Sequence, residues 1–235
     1  MKNNSSQILE NYQRVRQRIM EAAQRSGRQP DSVRMVGVTK YVGVDHAKAL
    51  VETGCCDLGE SRPQELWNKS AKLSVTNIRW HMIGHLQRNK VRRTLPLVEW
   101  IHAGDSLRLL KAVDDAAAEL NRRTQILLEV NISGDVNKHG FNAEDVEAAM
   151  NSISQYEHLD VCGLMAMASA SGGPDQARRD FSNLRELRDR LRRVSPPAIR
   201  LDELSMGMSH DFAEAILEGA TMVRIGSALW EDTLV

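Results

Sequence analysis

The chain has 235 residues, 42% hydrophobic and 26% charged, ordinary values for a soluble globular protein with a core of its own. Its 31 basic side chains balance 31 acidic ones. That speaks against a dedicated nucleic-acid binder, which needs an excess of Lys and Arg facing phosphates, and against a polybasic membrane anchor. No stretch approaches the run of about 20 apolar residues that a membrane span requires. The polar N-terminus lacks the apolar region of a signal peptide. Three cysteines without a CxxC spacing offer no disulfide framework, so a reducing, cytoplasmic compartment is expected.

Two kinds of segment alternate along the chain. Ile8, Tyr12, Val15, Ile19 and Ala22 share one helical face, and Gly27 and Pro30 end that helix. The apolar run 33–38 reads as a buried strand and 44–51 as a helix stopped by Gly54. A short strand at 56–59, a helix at 62–73 and a strand at 78–83 follow, then a helix from Leu86 to Leu95 ended by Pro96. A strand at 98–102 precedes a helix capped by Ser106. Then come strand 125–131, helix 143–154, strand 159–166, helix 176–193, strand 199–204, helix 209–218, strand 221–225 and a short terminal helical piece. The loop-like stretches 169–175 and 195–198 are too short to separate domains. Eight strands alternating with helices after one extra N-terminal helix predict a single (β/α)8 barrel spanning 1–235. The rival, an open Rossmann-like sheet, wants GxGxxG after its first strand, and that motif is absent.

A barrel of this kind puts its chemistry at the C-terminal ends of the strands. Thr39-Lys40 follows the first strand. A lysine there can be a desolvated amine able to form a Schiff base, or a side chain snorkelling to water. Ser205-Met206-Gly207-Met208-Ser209 follows the seventh strand and Arg224-Ile225-Gly226-Ser227 the eighth. Small and hydroxyl residues on that pair of loops suit a phosphate, although Ser209 can also be a plain helix cap and Gly226 a turn glycine. Arg224 reads as a fixed cation against a ligand, or as one half of a salt bridge. His81 and His85 are four apart, but across a strand end they share no face, so no metal site is expected. The basic residues at 88–93 and the arginine-rich stretch 185–193 read as solvated helix faces. With no P-loop and no GxSxG, no nucleophile triad is signalled.

The segments VGVTKYV, LGESRPQE, WHMIGHLQRNK, VNISGDVNKHGF, GLMAM and LSMGMSHDFAEAILEGATMVRIGSALW run in order from Val33 to Trp230. In them the chain closely resembles the YggS/PROSC family, the pyridoxal 5′-phosphate homeostasis proteins. The resemblance implies a TIM barrel of the alanine racemase N-terminal-domain type (fold type III). It implies pyridoxal 5′-phosphate held covalently on Lys40, with Ser205, Ser209, Gly226 and Ser227 around the phosphate and Met208 among the cofactor-binding residues. It also implies Arg224 at the pyridine nitrogen and Met165 near the ring. Ser61 stands where the family usually has Asn, and His210 where an Asp is common; Ser61 remains a candidate for the pocket, and neither change touches Lys40.

An arginine at the ring nitrogen keeps that nitrogen unprotonated and makes the ring a poor electron sink. Related racemases take a second base from another domain or subunit, and none is expected here, Val235 following soon after the eighth strand. His81 and His210 are the candidates for an acid/base within the motifs. The reading is therefore a monomeric carrier with no assigned catalytic residue, buffering the cofactor or delivering it to apoenzymes that use it. A weak amino-acid racemase of the same cofactor type is the alternative, and a barrel enzyme acting on a phosphorylated sugar a third.

Overall fold

The computed structural model describes residues 4–73, 75, 77–135, 139–169 and 171–233. Val136, Asn137 and Lys138 of the VNISGDVNKHGF segment and Ala170 of the loop 169–175 lie outside the described residues.

α1 (Asn4–Arg25) buries Ile8, Val15, Ile19, Ala22 and Ala23, as its apolar spacing dictates. β1 (Arg34–Val38) leads to α2 (Val44–Glu52), β2 (Asp57–Glu60) to α3 (Pro63–Lys72), β3 (Arg79–Met82) to α4 (Val91–Thr94), and β4 (Trp100–Gly104) to α5 (Leu107–Glu119). β5 (Thr124–Asn131) reaches α6 (Val146–Ile153) through a two-residue strand, β6 (Phe141–Asn142). β7 (Leu159–Met165) precedes α7 (Gly173–Leu191), β8 (Glu203–Ser205) precedes α8 (Phe212–Leu217), and β9 (Met222–Ile225) precedes α9 (Ser227–Trp230).

The strands pair in the order β4-β3-β2-β1-β9-β8-β7-β5, and a β4–β5 pairing closes the sheet on itself. Every pairing is parallel, as helical crossovers demand, and β6 is appended to β5 outside the closed ring. The fold is a (β/α)8 barrel. The main core lies between the sheet and its helices, where Ile8, Leu50, Leu66, Leu110, Phe181 and Phe212 are buried. A second, smaller cluster of Trp100, Ala103, Leu127, Cys162, Met165 and Met222 fills the barrel itself. Among the described residues no helix is long and apolar enough to cross a membrane.

Three elements differ from their sequence reading. The segment 86–95 is not one helix: a 3₁₀ turn at Arg88–Lys90, α4 and a second 3₁₀ turn at Leu95–Leu97 follow one another. Pro96 has no N–H to return to the Arg92 carbonyl, so the α ladder stops with α4 and a 3₁₀ turn continues from Leu95, whose own dihedrals stay helical (φ −56°, ψ −40°). Of the strand expected at 199–204, Ile199, Leu201 and Leu204 are buried while Arg200 and Asp202 are exposed, and only Glu203–Ser205 joins the ladder; alternating burial does not by itself report pairing. The helix expected from Ser209 begins at Phe212, because Asp211 Oδ1 accepts from the Met208 N–H at 2.6 Å and holds a turn ahead of it.

Candidate functional site at the mouth of the barrel

The C-terminal ends of the strands surround a cavity of about 350 Å³. Lys40, Ser61, Met208 and Ser209 line it, together with Arg224, Gly226 and Ser227. Seven of the nine residues predicted from the sequence thus share one space. The other two lie deeper. Met165, expected beside a ring, is buried in the barrel interior, and Met167, two residues on along the same face, lines the cavity in its place. Ser205 is fully buried and meets Arg224 from below.

Lys40 stands directly after β1 on a pinned backbone. The Thr39 N–H donates to the Gly59 carbonyl at 3.0 Å and its hydroxyl to Glu60 Oε1 at 2.7 Å. The Thr39 carbonyl accepts from Lys69 Nζ at 2.6 Å, and Lys69 in turn pairs with Glu60. Both partners of that ion pair are buried. On the other side, the Trp230 indole N–H donates to the Val38 carbonyl at 2.9 Å, tying α9 to the end of β1. The lysine side chain is left to reach into the cavity, its Nζ 4.9 Å from the centre of the Tyr41 ring.

The two small-residue loops are joined by one hydroxyl. Ser209 Oγ accepts from the N–H groups of Gly226 (3.1 Å) and Ala228 (3.3 Å). Ser209 is therefore not the cap of its own helix; it ties the loop after β8 to the start of α9. Gly207 adopts φ +89°, and a Cβ there would fall 2.5 Å from the Ala215 Cβ, so the turn needs glycine on both counts.

Arg224 is buried, and its guanidinium is fixed by three acceptors: the Ser205 carbonyl (2.8 Å), Ser205 Oγ (2.7 Å) and the Ala166 carbonyl (3.0 Å). Burial lowers its pKa to about 10, against which Glu129 and Asp211 favour the charge. Below it runs a buried chain: Ser205 Oγ to His102 Nδ1, His102 Nε2 to His81 Nδ1, and His81 Nε2 to Asp57 Oδ1, each 2.9 Å. Its polarity is determined. The Asp57 carboxylate can only accept, so His81 Nε2 carries the hydrogen; with both imidazoles neutral, His81 Nδ1 accepts from the His102 Nε2–H and His102 Nδ1 accepts from the Ser205 hydroxyl, whose oxygen in turn accepts from Arg224. Both imidazoles are neutral Nε2–H tautomers. Burial lowers both pKa values, more so for His102, which His81 and Arg224 also depress; Asp57 opposes the effect on His81. Although burial raises the pKa of Asp57, hydrogen bonds from Arg79 and His81 prevail and hold it well below the usual carboxylate range. His81, a sequence candidate for acid/base work, is thus committed inside the barrel and does not line the cavity; His210 does.

The opposite wall carries His85, which the sequence reading weighed only as a metal ligand, and two carboxyl groups it passed over. His85 follows β3, Asp105 follows β4 and Glu129 lies near the end of β5; the strand-end rule, applied to all eight strands instead of three, would have found them. His85 Nδ1 and Asp105 Oδ2 are 2.5 Å apart. Burial, then the Asp105 charge, push Glu129 up to about 7, against Arg224 and His85. His85, Asp105 and His139 bring one donor atom each within 4.8 Å of one another.

Comparison with known proteins agrees with this architecture. The family model of the alanine racemase N-terminal domain matches residues 4–233. Pyridoxal phosphate homeostasis proteins of Aquifex aeolicus (37% identical, covering 95% of this chain and 97% of the relative) and Escherichia coli K12 (30%, 95% of each) are similar over nearly their whole length. Among solved structures, PipY of Synechococcus elongatus with PLP bound superposes with a TM-score of 0.85 at 31% identity, over 94% of this chain and 99% of that one. An alanine racemase of Clostridium difficile shares the fold alone, with a TM-score of 0.67 at 16% identity over 85% of this chain and 51% of that one. The chain belongs to the alanine racemase N-terminal domain family and, within it, to the pyridoxal phosphate homeostasis proteins.

Proposed function

We propose that the protein binds pyridoxal 5′-phosphate on the Lys40 amine as a Schiff base and holds it reversibly, buffering the free aldehyde and releasing it to apoenzymes. The observation that carries this reading is the convergence of Lys40, Arg224 and the Ser209–Gly226–Ser227 loops on one cavity.

The residues fit the cofactor. Gly226 has a negative φ, and a Cβ there would make only ordinary contacts with Val38, 3.6 Å or more away. The missing side chain leaves space in the cavity at that point. That space lies beside the hydroxyls of Ser209 and Ser227, on the side where barrels of this kind hold phosphate. The cofactor, when bound, supplies an electrophilic carbonyl carbon. Lys40 offers the amine that condenses with it, water being lost. Ser209 and Ser227 hold the phosphate. Arg224, held by Ser205 and Ala166, presents its cation to the ring nitrogen and keeps a proton off it, which suits a carrier better than a racemase.

The test is the absorption spectrum of the purified protein with and without added pyridoxal phosphate, followed by borohydride reduction and peptide mapping. A coloured protein labelled at Lys40, and a Lys40→Ala variant that stays colourless, are expected. A protein that cannot be loaded, or that carries the label elsewhere, overturns the reading.

A further inference from the structure

We propose that His85, Asp105 and Glu129 form a subsite for a primary amine, which docks as the ammonium ion, gives up a proton there and displaces Lys40 from the bound cofactor. The displacement step rests on Lys40 carrying the cofactor covalently; the subsite itself does not.

Placement is the first argument. His85, Asp105 and Glu129 come from three consecutive barrel strands, β3, β4 and β5, and His85 and Glu129 line the cavity that Lys40 enters. The phosphate-side loops follow β8 and β9. An amine approaching from the β3–β5 wall does not have to pass them.

Chemistry is the second. The Asp105 side chain is 5% exposed and the His85 side chain 44%. A buried carboxylate holding Nδ1 of an open imidazole fixes the ring and leaves Nε2 free to take a proton. Glu129 is buried at the same wall, and its burial brings its ionisation close to neutrality, where a carboxyl both attracts a cation and exchanges a proton. Two carboxyl groups and two imidazoles, with His139 the second ring, make a wall that favours an ammonium over an anion.

The same histidines do not form a good metal site. The His85 and His139 rings are stacked, 4.5 Å between centres and 14° from parallel. Their lone pairs therefore run side by side and do not converge on a shared ion.

The exchange balances without oxidant or reductant. The incoming ammonium loses a proton to His85 or Glu129. Its nitrogen then adds to the cofactor carbon, and the double bond passes from the Lys40 nitrogen to the incoming one. As it does so the incoming nitrogen sheds its further protons to the same wall, and the wall returns an equal total to Lys40, which departs as its ammonium form.

Two measurements test this. In cofactor-free protein, the imidazole C–H resonances of His85, identified by their loss in His85→Gln, are followed by NMR during titration with methylammonium chloride against sodium chloride. A saturable shift specific to methylammonium, abolished by Glu129→Gln, is expected; equal responses to both salts overturn the subsite. In loaded protein, cofactor release is followed by absorbance against methylamine concentration. The ratio of amine-dependent to amine-independent release is expected to fall about ten-fold or more in His85→Gln and in Asp105→Asn. A ratio within about two-fold of the parent in both variants overturns the proton-transfer role. A protein that does not load at Lys40 overturns the preceding reading and the displacement step with it, while the NMR titration decides the subsite alone.

Discussion

His81 and His102 are joined through Nδ1 and Nε2 at 2.9 Å, and neither ring is exposed to solvent. Their tautomers are dictated from the carboxylate end, where Asp57 can only accept and each neutral ring passes the direction on. Removing one link strands two buried groups. His102→Phe takes the acceptor from Ser205 and the donor from His81, and is expected to destabilise the fold by about 3 kcal/mol. Both histidines have depressed pKa values when folded. The stability they contribute is present above the unfolded value near 6.5 and is lost progressively as pH falls below it. Urea midpoints at about pH 7.5 and 5.5 check this, and the difference between them should shrink in His102→Phe.

Glu129 has the opposite sign. Its pKa is raised in the folded state, to about 7, so the fold binds a proton more tightly than the unfolded chain does. The carboxyl is harmless below its unfolded value near 4.5 and costs progressively more up to about pH 7, reaching roughly 3 kcal/mol. Glu129→Gln should therefore raise Tm at pH 8 and have little effect at pH 4.5. Equal shifts at both pH values would count against the burial argument.

Lys69 and Glu60 are both buried, and Glu60 Oε2 already lacks a partner. Lys69→Met leaves the carboxylate uncompensated and is expected to lose about 3–5 kcal/mol. The double variant Lys69→Met, Glu60→Gln should recover much of that loss. Both remove the donor to the Thr39 carbonyl, so both should also loosen the backbone that presents Lys40, read as faster amide hydrogen exchange at residues 39–42 in this region.

Gly207 and Gly226 separate stability from binding. Gly207→Ala meets positive φ and a 2.5 Å clash and should destabilise by about 1–3 kcal/mol. Gly226→Ala meets only ordinary contacts and should lose less than about 1 kcal/mol, while pyridoxal phosphate affinity falls about ten-fold or more, because the new methyl occupies the cavity. Thermal unfolding and equilibrium titration distinguish the two.

Much of this was legible in the sequence because buried parallel strands announce themselves as short apolar runs between amphipathic helices. The strand-end rule found Lys40 and Arg224 without any knowledge of register. Register is what the sequence withholds. His81 pairs across the ladder with Trp100, and the His81–His102 link depends on that alignment, which no spacing within one segment reveals. Depth is hidden as well: Met165, the last residue of β7, is buried in the barrel, and Met167, just beyond the strand, lines the cavity. Segment 86–95 kept a helical periodicity that Pro96 then overruled.

The bond from Trp230 to Val38 has a consequence for synthesis. The strand bearing Lys40 leaves the ribosome well before β9 and α9, which bring Arg224, Gly226 and Ser227 beside it. Until then the first strand lacks one of its two neighbours and the lysine is merely an amine on an open edge. The cavity at the barrel mouth therefore exists only once β9 has paired with β1 and the ring of strands has shut.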